Sequence, residues 1–126
     1  MCLKTHEVKP MIAIEDIPVW KVLKTDNHGY YQDEYVYHHG KNYPSGVPDV
    51  ESIGFGKYAV GGGYLHTFSR RWSHQRNSKV RKSWIRHTFK NAKIVKMYIP
   101  KGTWYYRSTD GYEVCAKCLV WPWISL

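Results

Sequence analysis

Gly61-Gly62-Gly63-Tyr64-Leu65-His66-Thr67-Phe68-Ser69, running on through the basic stretch 70–90, decides the fold class. Three glycines let the backbone turn, and residues 64–68 then read as a strand. Ser69 is a helix-capping residue type, because its side-chain oxygen can accept from a first-turn amide. Beyond it, Trp72, Val80, Trp84 and Thr88 recur at multiples of four, with Ile85 and Phe89 beside the later ones. Arg70, Arg71, Arg76, Lys79, Arg81, Lys82, Arg86 and Lys90 occupy much of the rest. This spacing predicts one basic amphipathic helix over 70–90.

Outward from that point the chain reads as strands. Ile17-Pro18-Val19-Trp20-Lys21-Val22-Leu23 alternates, with Val19, Lys21 and Leu23 on one face and Trp20 and Val22 on the other. Asp26-Asn27-His28-Gly29 is turn chemistry, and 30–37 is a second strand. Residues 1–16 are a lead-in, and the Gly-, Pro- and Ser-rich stretch 40–63 reads as a long loop. On the C-terminal side, 94–99 and 112–121 are strands, separated by the turns Pro100-Lys101-Gly102-Thr103 and Ser108-Thr109-Asp110-Gly111. The expectation is a single domain, 1–126, of α+β class: a twisted, mainly antiparallel sheet carrying one basic helix.

Composition narrows the function. The chain has 126 residues, 43% hydrophobic and 16% aromatic, too apolar for a disordered segment. No apolar run approaches the roughly 18 residues that cross a bilayer, and the N-terminus has no apolar leader, so a cytoplasmic protein is expected. Charge is distributed unevenly. Residues 1–51 carry eight acids against five Lys/Arg, whereas 52–109 carry thirteen Lys/Arg and no acid. Such a block projects a positive field towards an anionic partner unless it folds against the acidic N-terminal third.

Cys115 and Cys118 have half of a zinc-site spacing, but residues three apart on a strand point to opposite faces. No metal and no cofactor is therefore expected. Gly62 and Gly63 let backbone come close to a ligand at a strand end, and His66 and Thr67 follow on that strand. Trp20, Tyr64, Trp104 and Tyr105 are candidates to stack a base, while Lys21, Arg70, Arg71 and Lys101 are candidates for its phosphates.

Cys2-Leu3-Lys4, Ile17-Pro18-Val19-Trp20-Lys21-Val22, Tyr35-Val36-Tyr37-His38-His39-Gly40-Lys41, Gly63-Tyr64-Leu65-His66-Thr67-Phe68 and Ile94-Val95-Lys96-Met97-Tyr98-Ile99-Pro100-Lys101-Gly102-Thr103-Trp104-Tyr105-Tyr106 resemble a family of small proteins of gut-bacterial tailed phages and prophages, which implies a host bacterial cytosol. More distantly, Trp20-Lys21, Thr67-Phe68-Ser69, Pro100-Lys101-Gly102-Thr103 and Glu113 fall in the order of the ADP-ribosyltransferase motifs. That resemblance implies a split sheet around a nucleotide cleft, with Lys21, His66, Thr67 and Glu113 in the catalytic positions. Lys21 stands where an Arg would grip phosphates, and a point charge is no fork. The expectation is thus a binder more than an enzyme: a phage-type accessory protein that captures a small anionic nucleotide and sequesters a host-defence signal. Alternatives are a basic nucleic-acid-binding module, an ADP-ribosyltransferase-like enzyme, and an inhibitor that binds a host protein, with a homo-oligomer compatible with each.

Overall fold

The computed structural model describes residues 3–29, 35–69 and 93–123. Eleven strands occur among them: β1 (Leu3–Thr5), β2 (Met11–Ile12), β3 (Ile17–Leu23), β4 (Gly40–Asn42), β5 (Val50–Gly54), β6 (Lys57–Val60), β7 (Leu65–Phe68), β8 (Lys93–Ile99), β9 (Trp104–Arg107), β10 (Glu113–Ala116) and β11 (Leu119–Trp121). No helix occurs among the described residues, so the expected α+β class, with its split-sheet variant, is corrected to an all-β arrangement. The stretch 70–90, assigned above to the basic helix, lies outside the described residues. Ser69, read as a cap, instead extends the ladder. Its amide donates to the Tyr112 carbonyl at 2.8 Å, and its hydroxyl donates to the Gly111 carbonyl.

The strands form two antiparallel sheets, ordered β1-β6-β5 and β2-β9-β10-β7-β3-β8-β11-β4. The longest pairing joins β3 to β8 over seven residues, from Ile17↔Ile99 to Leu23↔Lys93. The larger sheet has to coil. β10 and β11 stand third and seventh in its order, about 19 Å apart across a flat sheet. Only Lys117 and Cys118 connect them, a span of at most about 11 Å. Curling brings β11 round over β10 and encloses the main core of Val19, Leu23, Tyr37, Leu65, Met97, Ile99, Val114, Ala116 and Leu119. Each such Val or Leu contributes about 1.5–3 kcal/mol on burial.

The other face of β7, β9 and β10 carries His66, Tyr106 and Cys115, and the small sheet packs there through Leu3 and Val60, beside Tyr64 at the entry to β7. The lead-in 1–16 therefore supplies β1 and β2, and the expected loop 40–63 supplies β4 and the β5–β6 hairpin. The expected strand 112–121 is two strands, broken at Lys117–Cys118 where the sheet curls. Of the expected strand 30–37, residues 30–34 lie outside the described part, and Val36 makes only an isolated bridge to His28. No helix among the described residues is long and apolar enough to cross a membrane.

Candidate functional site

Lys21, His66, Thr67 and Glu113 all border one recess, because β3, β7 and β10 are neighbours in the sheet. Strand alternation nevertheless divides them. The pairings Trp20↔Phe68 and Phe68↔Glu113 put Trp20, Phe68, His66 and Glu113 on the face covered by the small sheet. Lys21 and Thr67 point the other way, into the coil of the large sheet. Lys21 is 2% exposed; its ammonium donates to the His66 carbonyl at 2.7 Å and lies 5.2 Å from the Tyr37 ring centroid. The Thr67 hydroxyl is buried and donates to the Val114 carbonyl at 2.8 Å. A carbonyl only accepts, so His66 Nε2, 2.8 Å from the Gly61 oxygen, carries a proton. Glu113 has its pKa raised, first by burial and then by the Asp110 carboxylate. The recess itself has a volume of about 20 Å³, room for a single water molecule.

The glycines hold the chain to itself. Gly61 N donates to Asp49 O, and Asp49 N donates to Gly62 O, so the run clasps the segment that leads into β5. Gly63, at φ +79°, has the Pro48 backbone where a Cβ would stand. Tyr64 is buried edge-on to Tyr106, with the Lys117 ammonium 4.6 Å from its ring centroid. Burial raises the pKa of both tyrosines. Tyr105 packs partly buried on the main core. Trp104 is half exposed beside Tyr43 and Pro44, and Lys101 is exposed, its amide donating to Asp16. Arg70 and Arg71 lie outside the described residues.

A second recess, of about 260 Å³, lies on β8 and β11, bordered by His39, Ile94, Val95, Lys96, Tyr98, Trp121, Pro122 and Trp123. That is close to the lower end of small-molecule sites, about 300 Å³. The His39 imidazole stacks on Trp121, centroids 4.2 Å apart, and on Trp123, 4.6 Å apart. Its Nδ1 donates to the Pro122 carbonyl at 2.9 Å, which leaves Nε2 as the acceptor in the neutral ring. The Lys93 ammonium stands 5.7 Å from the Trp121 centroid, and Lys96 lies 5.4 Å from Tyr98 and 6.0 Å from Trp20. Trp123 is 79% exposed.

Asn42 builds this corner. Fully buried, its Nδ2 lies 2.9–3.3 Å from the His38, Gly40 and Leu119 carbonyls, and its Oδ1 accepts from the His38 amide. The turn that carries His39 is thereby pinned to β11. Among the described residues expected at a ligand site, Trp20 comes nearest, its ring 6.0 Å from the Lys96 ammonium, but it does not border the recess. His39, Lys93, Lys96, Tyr98, Trp121 and Trp123 were missed, and the signal for them was Trp121-Pro122-Trp123, which sets two indoles about a residue of fixed φ.

No family model, curated protein or solved structure matches this chain. The phage and ADP-ribosyltransferase resemblances accordingly rest on the motifs quoted above. Among the described residues no group of three or more His, Cys, Asp or Glu is placed to hold a metal ion.

Proposed function

We propose that this protein binds single-stranded nucleic acid across the recess of His39, Trp121, Trp123, Tyr98, Lys93 and Lys96. One observation carries the reading: stacked rings and lysine ammoniums flank one recess, Lys93 5.7 Å from the Trp121 centroid on one face of the β8–β11 pair and Lys96 5.4 Å from the Tyr98 centroid on the other. Single-strand binders combine these two elements, a ring for the π-face of a base and a cation for its phosphate. Lys93 and Lys96 belong to the acid-free block 52–109, so the local chemistry and the long-range field have the same sign.

The test is fluorescence anisotropy of a labelled fifteen-residue oligothymidylate at low salt. Trp123→Ala weakens binding by roughly 5- to 150-fold, the range for one stacked base. The affinity falls with salt at a logarithmic slope of about −0.7 per phosphate neutralised. No binding at low salt, or binding indifferent to Trp123 and Lys96, removes the reading.

The volume of the recess favours one second reading, a free anionic nucleotide held there, which for a phage-type protein would serve to sequester a host-defence signal. In that case mononucleotides or cyclic nucleotides raise the melting temperature. At 100 times the dissociation constant the gain is about 2.7 kcal/mol.

A further inference from the structure

The β5–β6 hairpin ends in an arrangement that neither packing nor backbone preference explains. Gly54 pairs with Lys57, so Phe55 and Gly56 alone make the connection. Both have positive φ, 54° and 72°, and Gly54 before them has φ 94°. Two-residue hairpin turns of this hand take Asn, Asp or Gly at their central positions. A bulky residue there is an outlier, and the sound direction of argument runs from such an outlier to a function. Phe55 is also fully exposed, at 102% relative accessibility, with Ile53 beside it at 46%. The ring thus gains nothing from the core, yet it occupies a position whose conformation disfavours it. The tip is braced from outside: His6 Nδ1 lies 3.2 Å from the Gly56 carbonyl, which only accepts, so that nitrogen donates.

We infer that Phe55 is a base-contacting wedge, stacking on or between nucleobases of a bound single strand. The inference rests on the function proposed above. Charge selects this partner. Phe55 and Lys57 lie inside the block of thirteen Lys/Arg and no acid, and the hairpin's one acid, Glu51, precedes the tip by four residues. An anionic partner that also offers apolar planar faces is a nucleic acid. Apolar side chains presented by basic proteins insert between base steps in this way.

The experiment compares a fifteen-residue oligothymidylate with an abasic strand of the same length, which keeps the phosphates and loses the bases. Phe55→Asn suits the turn, so this variant folds and melts at or above the wild-type temperature. It is expected to bind oligothymidylate roughly ten-fold more weakly, the loss of about one stacked base, and to bind the abasic strand as the wild type does. Phe55→Trp restores the affinity. If Phe55→Asn binds oligothymidylate like the wild type while Trp123→Ala does not, the wedge is wrong and the recess stands. If the wild type binds neither strand, both fall. If Phe55→Asn leaves both strands unaffected but releases the protein from phosphatidylserine vesicles, the partner of the tip is a bilayer and the inference is overturned.

Discussion

Replacing Gly63 by alanine would place a Cβ 2.5 Å from Pro48 Cα and N and 2.7 Å from the Val47 carbonyl carbon. These are backbone atoms, so no rotamer change relieves the overlap. The segment 47–49 cannot withdraw freely either, because hydrogen bonds of 2.9 and 3.0 Å tie Asp49 to Gly61 and Gly62. Two costs combine. The left-handed conformation at φ +79° disfavours an L side chain by about 1–2 kcal/mol. Forcing an extra group into filled space adds about 1–3 kcal/mol. The expected loss is therefore about 2–5 kcal/mol. For a chain of this length that lowers the melting temperature by about 8–20 °C. Gly62 is the internal control. A Cβ there meets only the Val47 carbonyl oxygen at 3.9 Å, ordinary contact. Gly62→Ala is expected to change stability by less than about 1 kcal/mol, in either direction. Thermal melts followed by near-ultraviolet circular dichroism, with urea titrations for the free energies, measure both. If Gly63→Ala melts within 2–3 °C of the wild type, or if the two glycines respond alike, the clasp between the Gly61–Gly63 run and segment 47–49 is not as described.

Three further outcomes follow from the buried polar groups. Asn42→Ala removes the amide that serves His38, Gly40 and Leu119, and stranded buried groups cost about 1–3 kcal/mol; urea denaturation should show that loss, and oligonucleotide affinity should fall with it as the His39 turn loosens. For Glu113, whose folded pKa is raised by burial, the ionised form is the penalised one, so the penalty is absent below the unfolded pKa and develops as pH rises through the folded pKa. Glu113→Gln should accordingly melt higher than the wild type at pH 7 and equal to it at pH 3, and a difference that grows towards acid would refute the assignment. Cys115 is fully buried with its pKa pushed up to about 12, and burial raises that of Cys118 as well; in a Cys2→Ser variant both thiols should resist a disulfide reagent at pH 8 until guanidinium unfolds the protein.

What the sequence revealed depended on how local the signal was. The alternation in 17–23 is complete within seven residues, and β3 has those bounds. The same holds for 64–68 and 94–99, each within one residue. The glycines of 40–63 were read as loop, but Gly54 and Gly56 are the punctuation of a hairpin whose strands are only five and four residues long. Short strands paired to distant partners leave little trace in a local window. The break at Lys117–Cys118 is invisible in alternation because it answers to the curl of the whole sheet, not to its neighbours.

The candidate site shows the same limit. Lys21, His66, Thr67 and Glu113 were read as one group, and they do border one recess. The register that sends two of them to each face depends on pairings between β3, β7 and β10, which no single segment encodes. Lys21 in particular alternates onto the same face as Val19 and Leu23, as expected, and that face is the core, so its ammonium serves the His66 carbonyl. The aromatic–lysine recess draws on His39 from one end of the sheet order and Lys96 from its middle. Only the ladder from β4 through β11 to β8 brings them together.

The most direct measurement of the central claim is a titration of the indole N–H resonances with oligothymidylate. Six tryptophans give six signals, assigned by single Trp→Phe variants. Binding at the recess predicts that Trp121 and Trp123 shift most, with Trp20 following through Lys96 and Trp104 nearly still. Saturable shifts confined to Trp104, or six unmoved signals at low salt, would contradict it.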